Sequence, residues 1–158
     1  MELTFAPRGV LQINEARICY KNFRGEASKF TREGDRRFSL VIPDREMSEA
    51  LKAEGWNVKE KEFEDGEYFA HLPVKVNIND RGPSMYLISG NSKPVRLDEH
   101  TVGIIDEIDI LSVNLDIRPF DWEVNGNTGR TAYLQGLEVF QDLNRFDEKY
   151  AEEEYPEE

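Results

Sequence analysis

Cysteine, histidine and long apolar runs are all scarce in this 158-residue sequence, and each scarcity excludes something. Cys19 is the only cysteine, so no internal disulfide can form and a reducing compartment is expected. Cys19 sits in a strand-like run and reads as a small buried side chain. The only histidines are His71 and His100, and no Cys/His cluster, H-E-x-x-H pair or calcium-loop spacing occurs. No metal, cofactor or phosphate-loop chemistry is therefore expected. His71 falls on the polar side of its strand and reads as a surface residue. No apolar run approaches the ~20 residues of a membrane span, and the first residues lack the pattern of a signal peptide. A soluble protein of the cytoplasm is expected.

Basic charge is also short overall, because the net charge is -12. It is unevenly spread. Residues 1–43 carry eight Lys/Arg and five Asp/Glu, a balance of +3, whereas residues 44–141 carry -9 and residues 142–158 carry -6. The start is locally basic and the end strongly acidic.

Period-two alternation runs through the chain and points to strands. Ala16 to Lys21 alternates apolar with charged. Phe38, Leu40 and Ile42 share a face. Tyr68, Ala70, Leu72, Val74, Val76 and Ile78 form the longest stripe. Leu111, Val113, Leu115 and Ile117 form another, and Thr131 to Gln141 and Met85 to Ile88 are further candidates. Asp44 caps a helix carrying Met47, Ala50 and Leu51 inward, which Gly55 stops. A second short helix near Asp98 would turn Val102 and Ile105 inward. Asn125-Gly126 joins two strands as a hairpin. The expected fold is mostly β: an OB-like barrel of five or six strands with one helix between early strands, or a β-sandwich with one helix. The domain would span 1–142. Residues 143–158 would form an acidic tail with little to bury, expected to be disordered.

Two constellations suit nucleic acid. In Tyr20 to Phe38, basic residues interleave with aromatics across a loop. Arg17, Lys21, Arg24, Lys29, Arg32 and Arg37 would track phosphates, while Phe23 and Phe30 either stack bases or pin the loop to the core. In Arg118-Pro119-Phe120-Asp121-Trp122, continued alternation from Ile117 would leave Arg118, Phe120 and Trp122 on the face opposite the core, with Arg130 and Tyr133 across the hairpin. A bulge at Pro119 would return the rings to the core instead. A third group, Asp106, Glu107 and Asp109 with Asp98, Glu99 and His100 upstream, has the residues for metal or acid/base work, yet solvated acids between elements are ordinary. An enzyme is not expected.

The blocks Tyr20-Lys21-Asn22-Phe23, Lys29-Phe30, Arg32 to Phe38 and Asp116 to Gly126 resemble a group of small phage and prophage single-stranded-DNA-binding proteins, over most of residues 15–141. That resemblance implies an OB-type body whose acidic tail shields the groove and contacts replication or recombination proteins. Such tails usually end in a hydrophobic residue, often Phe. Here the end is Glu158 and the nearest aromatic is Tyr155, which favours shielding over recruitment. The expected function is sequence-independent binding of single-stranded DNA in phage replication or recombination, with an oligomer possible. The alternatives are an acidic mimic of DNA that inhibits a basic partner, a virion protein, and a nuclease built on Asp106.

Overall fold

A computed structural model gives the fold, and residues 1–29 and 31–143 are described. Ten strands and one α-helix occur among them: β1 Glu2–Phe5, β2 Leu11–Ala16, β3 Ile18–Asn22, β4 Arg36–Ile42, α1 Arg45–Ala53, β5 Lys59–Glu62, β6 Tyr68–Val76, β7 Ser84–Ile88, β8 Val95–Leu97, β9 Ile110–Val124 and β10 Asn127–Gln141. Short 3-10 turns cover Pro7–Gly9 and Val102–Asp106. The protein is mostly β, as the alternation predicts.

The strands form one sheet in the order β1-β2-β9-β10-β6-β4-β3, with β5 on β6, β7 on β10 and β8 on β7. The path of hydrogen-bonded strands ends at β1 and β3 and does not close. Pairing is antiparallel except where β10 meets β6 and β7. The hairpin of β9 and β10 is its backbone, because β2, β6 and β7 all dock on these two strands.

One core lies under one face of the sheet. Leu11 and Ile13, Phe38, Leu40 and Ile42, Ala70, Leu72, Val74 and Val76, and Val113, Leu115 and Ile117 are all buried on it. Each set comes from alternate positions of a strand, so every second side chain points the other way. Cys19 is buried, as expected. Leu111 is not: it is 64% exposed. Phe140 pairs with Ser112 and Gln141 with Ile110, so Leu111 is the extra residue of a bulge and turns outward.

Helix α1 follows its signals. The Asp44 carboxylate accepts from the Met47 N–H at 2.8 Å. At the far end the Gly55 N–H donates to Lys52 O and the Trp56 N–H to Leu51 O, with Gly55 at φ 94°, the left-handed C-cap that glycine adopts without steric cost. Leu51 and Trp56 are buried under it. Ala50, expected inward, is exposed, and Ser48 is buried instead, accepting from the Tyr68 hydroxyl at 2.8 Å. Val102 and Ile105 are buried as expected. Among the described residues no helix is long and apolar enough to cross a membrane. The acidic tail, with Phe146 and Tyr150, lies outside them apart from Leu143.

Candidate nucleic-acid interface

Directly paired residues in a sheet point to the same face, so register alone shows which side chains line up. Arg118 pairs with Tyr133, Tyr133 with Lys75, Lys75 with Arg37, and Arg37 with Asn22. One row therefore crosses β9, β10, β6, β4 and β3 on the face opposite the core. It carries three cations and one aromatic ring. The Arg118 guanidinium sits 4.8 Å from the Tyr133 ring centre. Strands lie ~4.8 Å apart, so the row is about 19 Å long.

Aromatic rings lie on both sides of this row. The hairpin arm of β9 and β10 extends past the core and keeps its register from Ile117 to Val124. Phe120 and Trp122 therefore stay in phase with Arg118 and are 53% and 40% exposed. Pro119 makes no bulge. β2 pairs with β9 only from Val113 to Ile117, so Pro119 lies where the far edge of β9 is unpaired among the described residues. Asn125 and Gly126, at φ 51° and 81°, make the tight turn that holds the register. Phe120 meets Tyr133 edge-on at 6.1 Å. Trp122 pairs with Gly129, where a Cβ would stand 2.3 Å from the indole, so only glycine lets the ring rest against the partner strand. On the other side, Tyr20, Phe69 and His71 form a cluster with ring centres 5.2–6.3 Å apart.

Charge follows the same parity. In β5, Lys59 pairs with His71 and Lys61 with Phe69, on the aromatic face. Glu60 and Glu62 point to the opposite face, where they meet Lys52 and Arg45 of α1. In the hairpin, Asp121 and Glu123 alternate away from Phe120 and Trp122. The face that carries Arg37, Lys59, Lys61, Lys75 and Arg118 thus presents no acid along these elements: β4 and β6 contain none, and those of β5 and the hairpin arm are turned to the other side. Acids return on this face at Glu2 of β1, which pairs with Asn14, and at the base of β9 and β10, where burial beside Glu138 pushes the Asp116 carboxyl above its ordinary range.

No curated protein matches the chain. A family model described as "Putative phage ssDNA-binding domain" matches residues 3–158. The chain belongs to this family of phage ssDNA-binding domains. Its fold is similar to that of solved structures of a single-stranded DNA-binding protein from bacteriophage Enc34. One, in complex with ssDNA, has a TM-score of 0.58 at 11% identity, covering 89% of this chain and 90% of that one. A C-terminal truncation has a TM-score of 0.56 at 12% identity, covering 90% and 96%. At these identities the likeness is one of fold.

Within this family domain the structure separates the residues that the sequence grouped. Arg37, Arg118, Phe120, Trp122 and Tyr133 share the face opposite the core. Arg17 joins them: its carbonyl accepts from the Val41 N–H at 3.0 Å, and Ile18 beside it pairs with core-facing Leu40. Lys21 does not. Cys19 pairs with Ser39 but Asn22 with Arg37, so one extra residue lies between them, and Tyr20 takes φ 51° there. This bulge reverses the parity and turns Lys21 toward the 3-10 turn. Its ammonium donates to the carbonyls of Ile105 and Ile108 at 3.0 and 3.2 Å. Burial lowers its pKa, against the pull of Asp106 and Asp109. Phe23 is fully buried and stacked on Phe38 at 5.1 Å, so it pins the loop and offers no ring to a base. Arg24 is paired with Glu107, and its pKa is raised by that contact. Arg130 alternates to the opposite face, bidentate on Asp121 at 2.7 and 3.1 Å and bonded to Glu54 O at 2.8 Å. Lys29 and Arg32 are exposed on the loop, and Phe30 lies outside the described residues.

In the third constellation, two carboxylates hold backbone N–H groups. The Asp106 carboxylate accepts from the Phe23 and Arg24 N–H groups at 2.8 and 2.9 Å and clasps the loop to the 3-10 turn. Asp98 accepts from the N–H groups of His100 and Thr101. Among the described residues no three His, Cys, Asp or Glu side chains are grouped to hold a metal. His71, read as a surface residue, is buried, its Nδ1 2.9 Å from the Ser39 hydroxyl. Sequence reasoning missed Lys59, Lys61 and Lys75. Lys75 was legible as the polar position inside the stripe of Leu72, Val74 and Val76. The β5 lysines were not, because Lys-Glu-Lys-Glu alternates in sign without alternating in hydropathy.

Proposed function

We propose that the protein binds single-stranded DNA, without sequence preference, across the face of the sheet opposite the core. The observation that carries this reading is the registered row Arg118, Tyr133, Lys75 and Arg37, flanked by exposed Phe120 and Trp122. Spaced cations follow a phosphate backbone, and ring faces stack any base, at about 1–3 kcal/mol per base. Family membership and the fold shared with the Enc34 protein, one structure of which is a complex with ssDNA, support it.

The finer reading is an OB-like body that works without catalysis in phage DNA replication or recombination, in the cytoplasm of the host. Residues 143–158, rich in Glu, are complementary to the cationic face and would shield it when DNA is absent. Protein partners would compete for the same tail. An acidic mimic of DNA, the alternative from net charge, would present carboxylates where this face presents Arg and Lys.

The test is a fluorescence titration with a poly-dT oligonucleotide at low salt, using the full chain and a chain ending at Asp142. Nanomolar to micromolar binding that weakens steeply with salt, and strengthens without the tail, is expected. No binding by either chain would overturn the reading.

A further inference from the structure

Beside Arg118 the sheet opens into a cleft of about 430 Å³ between the Pro7–Gly9 turn and the base of the hairpin arm. Its polar lining is Arg8, Gln12, Arg118 and Gln135, and no carboxylate lines it. That is unexpected in a chain of net charge -12. Three departures from regular backbone converge on it. Arg8 stands at φ 67°, a left-handed conformation that is strained for a non-glycine residue. Gly9 docks the turn on Pro119 so closely that a Cβ would stand 2.9 Å from the proline ring. Leu134 pairs with Ile117 but Gly136 with Asp116, which leaves Gln135 as the extra residue of a β10 bulge. Bulges next to binding sites re-aim a side chain, and here the re-aimed side chain is an amide donor.

We infer that this cleft is a phosphate subsite, in which Arg8 and Arg118 hold an internal phosphodiester of the strand as it leaves the sheet past β9. The inference rests on the proposed function, because Arg118 is also the last cation of the registered row. Two guanidinium groups and two amides offer only donors and amide carbonyls to a ligand, so an anion with several oxygens fits them. A cleft of this volume holds a sugar-phosphate unit. The path would then run from β3 across the sheet, over Tyr133, and down between the hairpin arm and the Pro7–Gly9 turn. That extends it beyond the five strands already described.

The test uses Arg8→Gly, because glycine adopts φ 67° without strain and the substitution removes the guanidinium while sparing the turn. Its thermal midpoint should be at or above that of the unaltered chain. Titration of full-length protein with dT oligonucleotides over a range of salt should show two- to tenfold weaker binding. The slope of log K on log salt should shrink by about 0.7, the value for one single-strand phosphate contact. Arg8→Lys should restore most of that slope. The loss should be equal for oligonucleotides with and without end phosphates, as an internal phosphodiester requires. An unchanged slope and affinity in a folded Arg8→Gly variant would overturn the inference and leave the proposed function standing. So would a loss confined to end-phosphorylated oligonucleotides. Failure of the unaltered chain to bind dT would overturn both.

Discussion

The segment from Tyr20 to Arg32 and the row from Arg37 to Arg118 are both rich in Arg and Lys, yet they are put to different uses. In the first, Lys21 caps two carbonyls, Arg24 is paired with Glu107, and Phe23 is buried against Phe38. These groups hold a long loop to the body. In the second, Arg37, Lys75 and Arg118 are held by strand register on one face, next to exposed rings. Local density of positive charge does not make a binding surface. Backbone register decides which cations face a ligand, and here one bulge at Tyr20 moves Lys21 from one class to the other.

That contrast can be broken most forcefully at Phe23. Phe23→Ala removes a fully buried ring and should cost about 3–5 kcal/mol of stability in a urea denaturation series, with DNA affinity of the folded fraction unchanged. A large affinity loss with little change in stability would move Phe23 into the interface. Trp122→Ala should do the reverse. Loss of one stacked base weakens dT binding by about 1–3 kcal/mol in a fluorescence titration, while the denaturation midpoint stays within a degree or two. A parallel change at two lysines sharpens the comparison. Lys21→Met leaves the Ile105 and Ile108 carbonyls without their donor, a cost of about 1–3 kcal/mol in stability with no change in salt slope. Lys75→Met should leave stability nearly intact and reduce the salt slope by about 0.7.

The smallest effect is expected at Asp116. Its folded-state pKa is raised, so the native state binds more protons than the unfolded chain between the two pKa values, and stability falls as pH rises through that window. Asp116→Asn removes this dependence. The variant should be more stable than the unaltered chain at neutral pH, by less than about 1 kcal/mol after solvent screening. The difference should close as the pH drops through the raised pKa. Thermal unfolding from pH 4 to pH 8 measures it, and a difference that grows toward low pH would contradict the assignment.

Much of this fold was legible because hydropathy alternates where the core is. The stripes in β4, β6 and β9, the Asp44 cap and the Asn125-Gly126 turn all carry local physical signals, and the structure follows them. β1 and β5 carry none. β5 is amphipathic in charge, with acids toward α1 and lysines toward the rings, and hydropathy does not see that. The face opposite the core was legible in its hairpin half only as one of two alternatives: continued parity from Ile117 puts Arg118, Phe120 and Trp122 there, a bulge at Pro119 does not, and the structure follows the first. The other half was not, because its members come together only through pairing between β4, β6 and β10, and because a bulge at Tyr20 has no hydropathy signature. Arg130 shows the same limit: its neighbours in sequence suit an extended platform, but its parity gives it to Asp121.

The central claim is that single-stranded DNA lies along the registered row. A triple variant, Arg37→Gln with Lys75→Gln and Arg118→Gln, tests it most directly through the salt dependence of poly-dT binding by the full chain. The account predicts a folded protein whose slope of log K on log salt shrinks by about 2, three phosphate contacts at ~0.7 each, with a large loss of affinity at low salt. A folded triple variant with unchanged slope and affinity would contradict it.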